Sequence, residues 1–155
     1  MIKPKKYHFV SEWQVDAARA DVVQAIMDVT NWYKWWPGLI KTDVLEIVHG
    51  PAGFKGSKFA AIWRSSVGYK LHLQITINEY RANNFFGFSS SGDLAGRGSW
   101  EFSGVQGNTK MHIVWEVSTT KIWMNVLAPL LRPAFVHNHK TIMRRGEIGL
   151  RKFLS

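Results

Sequence analysis

The sequence contains no cysteine. Disulfides, thiolate nucleophiles and cysteine-ligated metals are therefore excluded, and the absence fits a reducing compartment. Acidic residues are also scarce. Eleven Asp and Glu stand against 20 Lys and Arg in 155 residues, so paired carboxylates for acid–base work are hard to assemble. No long hydrophobic run occurs. The longest apolar stretch, residues 122–131, is half of the roughly 20 residues a membrane span needs, and Pro129 interrupts it. The N-terminal MIKPKKYHFVSEW is basic but has no apolar core of the kind a signal peptide carries. Together these absences predict a soluble, cytoplasmic protein with no stable membrane insertion.

Several chemistries lack their motif. There is no HExxH and no G-x-S-x-G. Among the six histidines, His137 and His139 are two apart and would diverge on a helix. His72 and His112 fall on outward strand parity, with no carboxylate at ligand spacing in the sequence. No metal and no cofactor is expected. Gly92-Asp93-Leu94-Ala95-Gly96 lies between two strands rather than before a helix, so it reads as a hairpin turn and not a phosphate cradle.

The formal charge of +9 raises nucleic acid or anionic membrane as partners. Its distribution does not form a dedicated patch. Lys3, Lys5 and Lys6 make one small group, Lys140, Arg144, Arg145, Arg151 and Lys152 another, and the rest are scattered. These read as solvated faces, and no nucleic-acid partner is expected.

What is present is a globular composition, 46% hydrophobic and 20% charged, at a length that suits one domain over 1–155. Residues 7–16 alternate, with Tyr7, Phe9, Trp13 and Val15 on one side, as in a half-buried strand. Asp16 is placed to cap a helix through Val22, Val23, Ile26 and Met27, and Asn31 to cap a second short one closed by Pro37-Gly38. Strands follow: 42–50, ending at the turn Gly50-Pro51-Ala52-Gly53; 56–66, of mixed parity; and 69–80, where Leu71, Leu73, Ile75 and Ile77 face one way. FFGFSSS, GRGSWEFSG and TKMHIVWEVS complete an antiparallel meander with short turns. Residues 121–155 return to helical spacing. Phe135, His139, Ile142, Met143, Gly146, Leu150 and Phe153 share a stripe, and Pro129 and Pro133 should break or kink the chain before that helix.

The expected fold is α+β: a curved antiparallel sheet of six or seven strands, two short helices after the first strand, and a long C-terminal helix as its only cover. Gly146 and Gly149 would let the helix approach closely at one end, while bulkier contacts hold it off at the other.

Three blocks carry a resemblance: YHFVSEWQVDAARADVVQAIMDVTNWYKWWPG, GDLAGRGSWEF and TTKIWMNVLAPLLRPAFVHNHKTIMRRGEIGLRKFL. With them the sequence resembles the SRPBCC, or START-like, superfamily, in its polyketide cyclase/dehydrase-like branch. The resemblance implies a helix-grip fold and an apolar ligand cavity. It does not imply a reaction, because the superfamily includes cyclases, lipid carriers, hormone-binding proteins and co-chaperones.

Two features point to a site. The chain holds 8 Trp, 9 Phe and 4 Tyr, and indoles suit walls around a flat ligand. Trp100 and Trp115 lie at inward parity, Trp63 and Phe88 are placed to join them, and Trp36 crowds the second short helix. The competing reading is that they fill the core. His139 is the polar residue on the apolar helix stripe, with Asn138 beside it. It suits a ligand contact or a general base. The competing reading is a core histidine tied to a serine hydroxyl or a carbonyl. Three functions follow: binding of an apolar aromatic, polyketide-like or lipid-like molecule; a cyclase or dehydratase with His139 as base; and a ligand-free interaction module.

Overall fold

The computed structural model describes residues 5–48, 54–65 and 68–155. The turn expected at Gly50-Pro51-Ala52-Gly53 and the cation Lys3 lie outside them. Seven strands form one sheet: β1 Lys6–Val15, β2 Leu39–Glu46, β3 Lys58–Arg64, β4 Lys70–Arg81, β5 Phe85–Gly92, β6 Leu94–Ser103 and β7 Thr109–Thr119. Helix α1 spans Arg19–Met27, a 3₁₀ turn follows at Val29–Lys34, and α2 (Ile122–Val126) and α3 (Ala128–Phe153) end the chain.

The strand order is β1-β7-β6-β5-β4-β3-β2, antiparallel throughout. From β2 to β7 each strand pairs with the next, as short turns favour. The N-terminal strand then joins the far edge, with Tyr7 opposite Val117 and Trp13 opposite Met111. Register shifts in β2 and between Ile77 and Glu79 interrupt the ladder, and such bulges bend a strand. In β4 Leu71, Leu73 and Ile77 are buried, as the alternation predicts. The mixed parity of 56–66 resolves into β3, where Phe59 and Ala61 are buried and Trp63 partly so.

Helix α3 covers this face. Met143 and Leu150 join a core cluster with Trp13, Trp36, Trp100 and Met111, and Phe135 joins a second with Tyr7, Leu71, Leu73 and Leu94. No helix among the described residues is long and apolar enough to cross a membrane.

Local expectations fail at four points. The chain breaks at Leu127, but α3 then runs unbroken through Pro133. Pro129 sits in the first turn, where a missing N–H costs nothing, and packing of the long apolar stripe outweighs the one bond lost at Pro133. Phe153 is 44% exposed; the helix ends there and Leu154 packs on the core instead. Asp16 does not cap α1, whose N-cap is Ala18. Its carboxylate accepts from the Asn108 side chain at 2.5 Å. Asn31 lies inside the 3₁₀ turn and donates to Asp28 at 2.6 Å.

Candidate functional site

The site begins with two glycines on α3. A Cβ at Gly149 would fall 1.7 Å from the Trp35 carbonyl oxygen, and one at Gly146 would fall 2.6 Å from Trp36 Nε1. No other residue allows this approach. Trp36 Nε1 donates to the Ile142 carbonyl at 2.9 Å, and the Trp36 ring meets Trp13 and Trp63 edge to face. The second half of α3 is thus pinned on the tryptophan-rich turn.

A cavity of about 390 Å³ is lined by α3 residues from Phe135 to Met143, by residues of the sheet and by the end of α1. All seven residues singled out in the sequence line it: Trp36 at the pinned end, Trp63 on β3, Phe88 on β5, Trp100 on β6, Trp115 on β7, and Asn138 and His139 on α3. Trp115 Nε1 donates to the Ser90 hydroxyl at 3.3 Å. Asn138 is buried. The lining also includes exposed polar residues, Gln24, Asp28 and Thr30 at the end of α1 and Glu46 on β2, which mark where the cavity meets solvent.

His139 stacks on Phe9, with ring centroids 3.9 Å apart, and leans on Trp115 at 5.9 Å. Burial removes water from the imidazolium and lowers the pKa from 6.5 to about 4. The ring is therefore neutral at pH 7, with one N–H to donate and one nitrogen to accept. No group among the described residues hydrogen-bonds either nitrogen. The serine or carbonyl partner expected of a core histidine is not found among them.

Some of this escapes sequence reading. Phe9 carries inward parity, but its stacking on His139 follows only from β1 lying beside β7. The mouth joins α1 to β2, and no local pattern marks it. The outward His112 does meet a carboxylate: the β1–β7 register sets Glu12 opposite His112, and Glu116 opposite His8. These are exposed pairs. Among the described residues no three His, Asp or Glu gather as metal ligands.

No family model matches the sequence, and no curated protein sequence matches it. Solved structures do. A Thermus thermophilus protein is 16% identical, with a TM-score of 0.73 over 96% of this chain and 100% of its own. The Zhui aromatase/cyclase from Streptomyces sp. R1128 is 12% identical, with a TM-score of 0.77 over 97% of this chain and 94% of its own. A START superfamily protein from Mycobacterium smegmatis is 12% identical, with a TM-score of 0.74 over 96% and 99%. Identities this low speak for shape and not for chemistry: the chain has the START-like helix-grip fold.

Proposed function

We propose that the protein binds an apolar aromatic, polyketide-like or lipid-like molecule in the cavity, with a neutral polar group of that molecule hydrogen-bonded to His139. The observation that carries this is the imidazole itself. It is half-buried, neutral at pH 7 and part of the cavity lining, and no described protein group uses its hydrogen-bonding capacity. Its N–H can donate to a ligand carbonyl and its bare nitrogen can accept from a ligand phenol. A volume of 390 Å³ falls within the roughly 300–1,000 Å³ of small-molecule sites.

The second reading is a cyclase or dehydratase in which His139 moves a proton. A pKa of about 4 weakens it, because an efficient general base titrates near the working pH. Such an imidazole orients a ligand better than it deprotonates one. A closed interaction module has no use for the void.

The test pairs a polycyclic phenol with the same ring system lacking the hydroxyl, both followed by tryptophan fluorescence. His139→Ala should weaken the phenol by about fivefold to tenfold, the worth of one hydrogen bond, and leave the hydrocarbon nearly unchanged. Equal effects on both ligands, or no binding of either with no co-purifying molecule in native mass spectrometry, would refute the proposal.

A further inference from the structure

The apolar stretch 122–131 plays no part in the cavity, and its placement is unusual. Helix α2 is inside out. It buries Met124 and the polar Asn125. The Asn125 side-chain oxygen accepts from the Lys5 N–H at 3.3 Å and from the Thr119 hydroxyl. Outward it presents Ile122, Trp123 and Val126, and the patch continues through Leu127 to Leu130 on the first turn of α3. Ile122 is 74% exposed and Leu130 78%. Scattered exposed leucines need no explanation, but five large apolar residues on adjoining turns form a contiguous patch of the kind that meets a partner.

Charge indicates the partner. Residues 117–146 contain no Asp or Glu, yet hold Lys121, Arg132, Lys140, Arg144 and Arg145. Two cations stand beside the patch. Lys121 precedes it and reaches Asp93 at 3.4 Å. Arg132 follows it and lies 4.9 Å over the Tyr7 ring. The exposed side chains within the patch are aliphatic apart from one indole, so they offer almost nothing directional to a protein partner. A protein interface carries about one hydrogen bond per 100–200 Å², whereas a bilayer interface asks only for apolar surface with basic flanks.

We infer that α2 and the first turn of α3 dock peripherally on an anionic lipid surface. Ile122, Trp123, Val126, Leu127 and Leu130 enter the headgroup layer, and Lys121 and Arg132 face lipid phosphates. The docked element backs onto one end of the cavity: Met124 packs with Leu71, Leu94 and Phe135, and those three also line the void. The inference stands independently of what the cavity holds.

Sedimentation of the whole protein with vesicles tests it. One set is pure phosphatidylcholine, the other equal parts phosphatidylcholine and phosphatidylglycerol. The protein should partition onto the anionic set at low salt and be released by high salt. Ile122→Asp combined with Leu130→Glu should weaken partitioning by about tenfold or more, since it removes apolar contact and adds repulsion. Both positions are exposed, so the melting temperature should hold. Leu130→Gln, which adds no charge, should give a smaller loss in the same direction, and Arg132→Gln roughly a fivefold loss. No partitioning onto anionic vesicles at low salt overturns the inference, as does partitioning that the double variant leaves unchanged. A wild-type dimer that the double variant makes monomeric also overturns it, because the patch is then a subunit interface.

Discussion

Acid should destabilise this protein through His139, by an amount the structure sets. In the folded chain the imidazole takes a proton only near pH 4, because burial between Phe9 and Trp115 penalises the cation. In the unfolded chain it does so near 6.5. Between these values the unfolded state binds more protons than the folded state, so stability rises with pH across the window. The favourable contribution is complete above about pH 6.5, is lost as pH falls, and levels off below about 4. A fall from 6.5 to about 4, at roughly 1.4 kcal/mol per pH unit, is worth about 3 kcal/mol, most of it gone by about pH 4.5. Carboxylates also titrate there, so the comparison needs a reference. His139→Phe keeps a ring against Phe9 and removes only this titration. Urea unfolding at pH 7 and pH 4.5 should show the wild type losing about 2–3 kcal/mol more than the variant. A proton NMR titration, with the His139 resonance identified by its absence in the variant, should place its midpoint well below the others. A midpoint near 6.5, or the same pH dependence in both proteins, would refute the reasoning.

Other perturbations follow from the same packing. Alanine for glycine within a helix ordinarily stabilises by up to about 1 kcal/mol, but Gly149→Ala should lower unfolding free energy by about 3 kcal/mol, because its Cβ collides with the Trp35 carbonyl; a stabilised variant would disprove the close contact. Asn125→Ala should cost about 1–3 kcal/mol in urea unfolding, since it strands the Thr119 hydroxyl beneath α2; an unchanged midpoint would contradict that bond. Ile75 lines the void, so Ile75→Trp should change stability by less than about 1.5 kcal/mol while abolishing ligand-induced rises in melting temperature. A ligand at a hundred times its dissociation constant stabilises the wild type by about 2.7 kcal/mol, and retention of that shift in the filled variant would place binding elsewhere. The basic charge should confer only non-specific, salt-sensitive affinity for DNA or RNA, weaker than about micromolar at physiological salt; tight, sequence-dependent binding in a filter or polarisation assay would contradict this.

Much of the architecture is written in local periods. Alternation over Leu71, Leu73, Ile75 and Ile77 sets the inner face of β4, and the spacing from Phe135 to Leu150 sets the inner face of α3. Both periods come from backbone geometry that each residue shares with its neighbours. Parity aims Trp100 and Trp115 inward and helical spacing aims His139, wherever the partner lies; Trp63 and Phe88 were set beside them, Trp36 by its crowded turn and Asn138 by its place next to the stripe. What meets each of them was not legible. Phe9 stacks on His139 because β1 crosses to pair with β7, a contact between opposite ends of the chain. Gly149 is required by the carbonyl of Trp35, and the outward face of α2 is apolar because Asn125 turns inward to Thr119 and Lys5. Pro133 reads locally as a break, and tertiary packing holds the helix through it. The sequence by itself determined which faces are apolar, because side-chain direction is a local property of strand and helix. Tertiary structure alone decided that the imidazole of His139 is neutral, lacks a hydrogen-bond partner among the described residues and faces a void, because burial and solvation depend on every element that closes around it.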